Sequence, residues 1–208
     1  RVEQLRKGEI SREFLEEIRV YDGFSDAELY ADGVFITHTN KMRHVINTRC
    51  ASAFSAKNGT PLVKWRCALV GKVGATMGDE MLNALYGRYP AETTATFVLG
   101  APAMIFSNVG VDIGLANGTM CTLEGLVGIS DRDREKISNW DGDGEVWLES
   151  PPKFVLVSNE SINALFDWDL PQVDGRRVFP IGTESCKIEK LNVSVERPCC
   201  DLCFAVTT

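Results

Sequence analysis

The chain has 208 residues, of which 44% are hydrophobic and 25% are charged, which excludes general disorder and allows one large or two small domains. A net charge of −7 excludes binding to nucleic acid by bulk electrostatics, so any such contact must be local or shared with other parts of the protein. No apolar run approaches the roughly 18 residues that suggest a membrane span, and we expect no membrane contact.

The chain opens without Met and in the middle of a helical pattern, so we expect it to be cut from a longer protein. Residues 1–20 predict a pair of helices, because their apolar residues recur at helical spacing on either side of Gly8. No apolar signal core follows the start, so a secretory leader is not expected.

The next segment predicts a strand followed by a helix. Residues 34–38 are apolar, β-branched and aromatic, which favours a buried strand. Thr39-Asn40 then opens a helix over residues 41–54. One face of that helix is expected to carry Met42, Val45, Ile46 and Cys50.

Residues 58–96 are punctuated by glycines, and predict only short elements: a strand near 63–70 and a helix at 79–86. From residue 97 the pattern is all-β, with strands expected at 97–99, 103–106, 119–123, 145–148, 153–157 and 187–195. Asn117-Gly118 predicts a type I′ hairpin turn. Short strands with tight turns suggest a small, partly open barrel, and the mixed acidic segment 131–143 is expected to be a solvated loop.

Two motifs resemble ligand sites but fail on spacing. Gly71-Lys72 lacks the rest of a phosphate loop, since Arg66 and Val73 stand where Gly and Ser or Thr are required. Residues 141–145 hold three acidic side chains but no further calcium ligands at the required positions, so a hairpin turn is the better interpretation.

Thr39-Asn40 and Arg43 form the best candidate site. A polar turn before a helix N-terminus offers free N–H groups to an anion, and Arg43 adds positive charge. The structural alternative, which spacing alone favours, is a helix cap flanked by solvated basic residues. His38 and His44 straddle the turn, but no carboxylate or Cys stands at a helical offset that would complete a metal site.

The seven cysteines are concentrated toward the end of the chain. Cys200-x-x-Cys203 has a metal-ligand spacing, but no second pair stands at a zinc-site distance. Apolar neighbours favour buried, reduced thiols and an intracellular protein.

Four segments, taken in chain order, carry a resemblance to a known family. They are Leu5-Arg6-Lys7-Gly8, residues 35–40 with Val45-Ile46-Asn47, residues 97–108 with Leu115-Ala116-Asn117-Gly118-Thr119, and residues 197–208. In this order they resemble the DNA helicases of the petite-integration-frequency (PIF) type, superfamily-one enzymes related to the RecD helicases. One departure is Ala103, where the family usually has Val.

The resemblance implies an α/β fold: part of a RecA-like motor domain, interrupted by a small SH3-like β-barrel. Residues 1–57 would begin the second motor domain, 58–96 would be an irregular connection, 97–195 the barrel insertion and 196–208 the returning strand. Thr39, Asn40 and Arg43 would contact single-stranded DNA, whereas Asn117-Gly118-Thr119 would be structural. The resemblance places the protein in the nucleus or a mitochondrion.

The family hydrolyses ATP with magnesium and moves five-prime to three-prime along single-stranded DNA in repair, recombination and telomere maintenance. The N-terminal ATP-binding motor domain of the same protein, a partner implied by the resemblance, would supply the catalytic parts. This segment alone is therefore expected to bind no cofactor and to be inactive. Two alternatives remain: a non-catalytic module that binds a protein partner, or a helicase relic of a mobile element.

Overall fold

A computed structural model describes residues 11–12, 34–71, 74, 76–160, 171–188 and 191–207. Apart from Ser11 and Arg12, the predicted helix pair at 1–20 lies outside the described residues, as does Lys72.

The helices are α1 (Asn40–Asn58), α2 (Asp79–Arg88), α3 (Pro90–Thr93) and α4 (Asp131–Ser138), with a short 3₁₀ helix at Val111–Ile113. The first strands are β1 (Phe35–Thr37), β2 (Leu62–Arg66), β3 (Ala68–Val70), β4 (Thr94–Phe97), β5 (Pro102–Ile105), β6 (Met120–Val127), β7 (Glu145–Trp147) and β8 (Phe154–Ser158). The remaining strands are β9 (Gln172–Val173), β10 (Arg176–Arg177), β11 (Phe179–Ile181), β12 (Thr183–Lys187), β13 (Ser194–Pro198), β14 (Cys200–Leu202) and β15 (Ala205–Thr207).

The strands pair in open sheets, and none closes into a barrel within the described residues. The largest sheet has five strands in the order β11-β8-β6-β5-β14, and two three-stranded sheets have the orders β12-β13-β3 and β4-β2-β7. β1 pairs with β15 in parallel, and β9 pairs with β10. The fold is therefore mixed α/β and rich in sheet, as predicted.

Strands within residues 97–195 share ladders with strands outside that range. β3 and β14 come from either side of it, and they pair with β13 and β5 respectively. The SH3-like insertion and the limits given for the four segments of the chain stay predictions.

The start of α1 is determined by a local cap. Thr39 has an extended backbone, and its hydroxyl accepts a hydrogen bond from Met42 N at 3.2 Å. The helix ends at Gly59, whose φ of 62° is the left-handed conformation that suits glycine. The predicted N-terminus is confirmed, and the helix continues four residues beyond the predicted end at 54.

The predicted apolar face of α1 was partly wrong. Ile46 and Cys50 are buried, but Met42 and Val45 are exposed. The buried face instead continues through Asn47 and Ala51, whereas Met42 and Val45 lie near the exposed start of the helix.

β1 is shorter and less buried than predicted. Its side chains alternate, so Thr37 is buried whereas Ile36 is 72% exposed. The predicted returning strand at residues 197–208 is also interrupted, since it comprises the end of β13 followed by β14 and β15. β15 pairs with β1 and brings residues 35–37 next to residues 205–207.

The hydrophobic core joins α1 to the sheets. Cys50 and Ala51 of α1 belong to one buried cluster with Val63 of β2, Val157 of β8 and Phe204. The ring of Phe54 packs against that of Phe204, with centroids 5.7 Å apart. None of the helices in the described residues is long and apolar enough to cross a membrane.

Residues 131–143 are not the solvated loop that the sequence predicted, because α4 occupies the first part of the segment. Ser130 caps this helix: its hydroxyl accepts from Asp133 N at 3.1 Å and donates to the Asp133 carboxylate at 2.8 Å. The Ser130 hydroxyl is thus an N-cap whose orientation is fixed by the Asp133 carboxylate. The predicted turn at residues 141–145 consequently connects a helix to β7 and is not a hairpin.

Asn117-Gly118 lies in a turn, but not in the predicted type I′ hairpin. Thr119 N donates to Ala116 O at 3.0 Å, which closes the turn. Gly118 has a φ of 91°, whereas Asn117 is not among the residues of positive φ that a type I′ turn requires at both positions. The turn lies in the long connection between β5 and β6.

Two predicted strands are each divided in the structure. The strand near 63–70 is interrupted at Cys67, which separates β2 from β3. The strand predicted at 187–195 is the meeting point of β12 and β13, which pair antiparallel from Thr183↔Pro198 to Lys187↔Ser194. The helix predicted at 79–86 is confirmed as α2.

Candidate nucleic-acid interface

A polar cleft of about 220 Å³ opens beside the N-terminal half of α1. Its wall combines α1 with segments that are distant in the chain. The lining residues are Asn40, Arg43, His44, Asn47 and Thr48 of α1, Ala91 and Glu92 of α3, Thr94 and Thr96 of β4, Lys187 of β12, Arg197 of β13, and Asp201 and Leu202 of β14. Two of the three predicted site residues, Asn40 and Arg43, therefore lie in this cleft.

Thr39, the third predicted residue, caps the N-terminus of α1. Its hydroxyl caps α1, and its carbonyl oxygen accepts from Arg43 N at 3.0 Å and from the Thr37 hydroxyl at 3.4 Å. The first turn of α1 carries no acidic residue, and the N–H groups of Asn40 and Lys41 have no hydrogen-bond partner among the described residues. α1 therefore begins with two N–H groups that are available to a ligand, and the positive end of the helix dipole favours an anion there.

Arg43 is half-buried, and its guanidinium packs against an aromatic ring. Its guanidinium carbon lies 5.2 Å from the centroid of the Phe106 ring. In the part of the chain that the structure describes, no carboxylate lies within ion-pair distance of Arg43 or of Lys187. Stacking on Phe106 leaves the N–H edge of the guanidinium free to bind an oxygen ligand in the cleft.

The other charges of the cleft are partly neutralised. Arg197 pairs with Asp201 at 3.3 Å, and Asp201 also accepts from Leu202 N at 2.9 Å. Glu92 is the second carboxylate in the lining, which gives three permanent cations against two anions. The cleft is therefore slightly basic in a chain whose net charge is −7.

His44 adds a neutral hydrogen-bonding group to the cleft. Burial lowers its pKa most strongly, and the charges of Arg197 and Lys64 lower it further. Asp201 and Glu92 oppose that shift without reversing it. With a pKa below its ordinary value of 6.5, His44 is mostly uncharged at neutral pH.

Asn47 fixes the position of α1, which sequence reasoning missed. This side chain is only 6% exposed. Its amide donates to Leu202 O at 2.8 Å, and its carbonyl accepts from Ala205 N at 2.7 Å. A polar residue on the apolar face of a helix, between Ile46 and Cys50, was the available signal. Asn47 therefore connects α1 to the end of β14 and the start of β15, and it fixes two walls of the cleft relative to each other.

Arg66 stands where a phosphate loop would have its first glycine, and its side chain contacts α2. Arg66 ends β2, where its guanidinium donates to Asn83 at 3.0 Å and lies 4.5 Å from the centroid of the Tyr86 ring. A phosphate loop needs a flexible glycine at that position so that backbone N–H groups can surround the phosphate. Arg66 instead connects β2 to α2 through its side chain.

The thiols of the predicted cysteine pair are buried, as expected. Burial raises the pKa of Cys203, and it raises the pKa of Cys200 well above the ordinary range. Cys121 lies in the same region, where burial raises its pKa to about 12. Within the described residues, no group of His, Cys, Asp and Glu side chains has the arrangement of a metal site.

No protein-family profile and no curated protein sequence matches the chain. Solved structures do match. The Pif1 helicase from Candida albicans aligns with a TM-score of 0.50 at 15% identity, over 99% of this chain and 42% of that chain. Bacteroides Pif1 bound to ssDNA aligns with a TM-score of 0.43 at 12% identity, over 99% of this chain and 38% of that one.

At this identity the likeness concerns the fold. The chain spans less than half the length of the helicases that it matches. The alignment covers nearly the whole of this chain, from the α1 cleft to the five-stranded sheet. The chain thus has the fold of a part of the Candida albicans Pif1 helicase.

Proposed function

We propose that the chain is a segment of an ATP-dependent DNA helicase of the Pif1 type. The observation that carries the proposal is the fold likeness to the Candida albicans helicase over 99% of the chain. The ordered motifs of the sequence support the same assignment: a strand and helix at the start, and Asn117-Gly118-Thr119 before β6. In this proposal the segment belongs to the second RecA-like motor domain, with residues 97–195 as an SH3-like insertion.

The role proposed for the segment is to contact the backbone of single-stranded DNA. Arg43 and the N–H groups at the start of α1 are positioned for one phosphate, and Asn40 lies beside them in the cleft. Lys187 enters the same cleft from β12. Contacts of this kind are independent of base sequence, which suits an enzyme that moves along a strand.

ATP and magnesium belong, in this proposal, to the N-terminal motor domain of the parent protein. Phosphoryl transfer depends on a phosphate loop, a magnesium-binding carboxylate and an arginine that senses the γ-phosphate. The parent enzyme would move five-prime to three-prime and serve repair, recombination or telomere maintenance in the nucleus or a mitochondrion. The 208-residue chain alone should therefore release no phosphate from ATP, with or without single-stranded DNA.

Binding of the purified chain to labelled oligonucleotides tests the proposal. We expect weak binding at low salt, with similar affinity for oligothymidylate and for mixed sequences, and a steep loss of affinity as salt increases. No binding to single-stranded DNA at low salt would contradict the proposed role. ATP turnover above a blank without protein would contradict the assignment of catalysis to another domain.

A further inference from the structure

The side chain of Trp147, at the end of β7, is 43% exposed. It is the only exposed aromatic residue in the described part of the chain. Tryptophan is usually largely buried, because its ring contributes a large apolar area to the core. Trp65, on the neighbouring strand β2, shows the usual pattern at 2% exposure. An exposed indole at a fixed position therefore suggests a ligand that stacks on it.

Two neighbouring charged residues, Glu145 and Lys64, fix the orientation of the Trp147 indole. Its Nε1 donates to the Glu145 carboxylate at 3.1 Å, and the same carboxylate forms an ion pair with Lys64. The Lys64 ammonium lies 6.0 Å from the centroid of the Trp147 ring. Glu145 and Lys64 thus orient the ring before any ligand arrives, which reduces the entropy that binding must offset.

Trp147 lies on the same sheet face as the edge of the cleft. Lys64 is the cross-strand neighbour of Trp147 in β7 and also of Thr96 in β4. Side chains at paired positions point to the same face, and two strand spacings separate Thr96 from Trp147 by about 10 Å. Thr96 lines the cleft that holds Arg43. This spacing is within the reach of one or two nucleotides of an extended strand.

We infer that Trp147 is a stacking platform for a nucleobase of the single strand whose phosphate binds in the cleft. The inference rests on the proposed function and adds a second kind of interaction to it. Every base presents a flat π-face, so stacking on an indole is tolerant of sequence. Lys64 beside the ring is paired with Glu145 and therefore adds no free positive charge to the platform. Trp147 would therefore contribute affinity without base selectivity and without binding a phosphate.

The test compares two ligands of equal charge. One is oligothymidylate, and the other is an abasic oligomer of the same length, which keeps the phosphates and lacks the bases. We expect Trp147→Ala to weaken oligothymidylate binding about tenfold without changing its salt slope. The same variant should leave affinity for the abasic oligomer unchanged, and Trp147→Phe should retain most of the affinity for oligothymidylate. Thermal unfolding of both variants establishes that they are folded. If the alanine variant is not, Trp147→Leu, which keeps apolar bulk without a π-face, takes its place with the same expected loss.

The outcomes separate the two proposals. If Trp147→Ala binds both oligomers as the parent chain does, the stacking role is wrong while the phosphate site stands. Equal weakening for both oligomers would also contradict stacking, because only one ligand has bases. If the parent chain binds neither oligomer at low salt, the proposed function is contradicted, and the stacking inference with it.

Discussion

The α1 cleft and the corner formed by α4 and β7 both concentrate charge, but they arrange it in opposite ways. In the α4 corner, the carboxylate of Asp133 accepts from the Ser130 hydroxyl, the Lys136 ammonium and Glu149 N. Glu149 in turn pairs with Arg132 at 2.8 Å and with Lys136 at 3.2 Å. In the cleft, Arg43 and Lys187 have no carboxylate partner within the described residues.

Paired charges in the α4 corner stabilise the fold, whereas unpaired charges in the cleft can bind a ligand. Charges that are paired with one another, as in the α4 corner, hold elements together and have little capacity left for a ligand. Charges without partners contribute little to folding but can bind an anion at once. A net charge of −7 therefore does not exclude a local anion site, since that total averages over both kinds of region.

The largest expected effect concerns the residue that holds the cleft together. Asn47→Ala leaves Ala205 N and Leu202 O buried without partners, and should lower the free energy of unfolding by about 3 kcal/mol. Chemical denaturation measures this change. Ser52→Ala is the matched control, because Ser52 is exposed on the same helix and, among the described residues, its hydroxyl donates only to Thr48 O.

We expect the control to change stability by less than about 0.5 kcal/mol. Equal effects of the two substitutions would contradict the role given to Asn47. An unchanged midpoint for Asn47→Ala would show that α1 is positioned by apolar packing alone.

The next effect concerns the α4 corner. Asp133→Ala removes the carboxylate that accepts from the Ser130 hydroxyl, the Lys136 ammonium and Glu149 N, and should lower the free energy of unfolding by about 2 kcal/mol. Asp131→Ala in the same helix is the control, because the Asp131 carboxylate is fully exposed. Urea denaturation of both variants at neutral pH should separate them; similar stabilities would contradict the structural role of Asp133.

The pH dependence of Asp133 follows from its hydrogen bonds. Burial by itself would raise its pKa, but the bonds from Ser130, Lys136 and Glu149 N outweigh burial and lower the pKa below its ordinary value of 3.8. The stabilisation is therefore complete above the unfolded pKa and is lost as pH falls through the folded pKa. In acid unfolding, the difference between the parent chain and Asp133→Ala should be constant at neutral pH and shrink below about pH 4.

Local features of the fold could be predicted from sequence, and pairing between distant segments could not. The cap at Thr39 depends on a hydrogen bond three residues away, so the start of α1 was predictable. The same logic applied to Ser130 and Asp133 would have identified α4, but the acidic composition of the segment favoured a solvated loop. The acidic composition gave the wrong prediction, because it implied that these side chains are solvated, whereas Asp133 is fully buried.

The candidate site was predictable only in part for the same reason. Asn40 and Arg43 stand next to the predicted turn, whereas Lys187 and Arg197 reach the cleft only because β12 pairs with β13 and β13 with β3. Nothing in the local sequence around Lys187 relates it to α1. Asn47 was visible as a polar residue on an apolar face, but its partners lie 155 and 158 residues further along the chain.

The most direct test of the central claim is the salt dependence of binding to single-stranded DNA. The parent chain and Arg43→Ala are compared between about 50 and 200 mM salt, with Lys57→Ala near the other end of α1 as a charge-matched control. We predict that Arg43→Ala weakens binding by about 1 kcal/mol and reduces the salt slope by about 0.7, as expected when a protein neutralises one phosphate fewer on a single strand. Lys57→Ala should change neither quantity beyond its effect on net charge. Identical affinities and slopes for all three proteins would contradict the claim that the cleft binds a DNA phosphate.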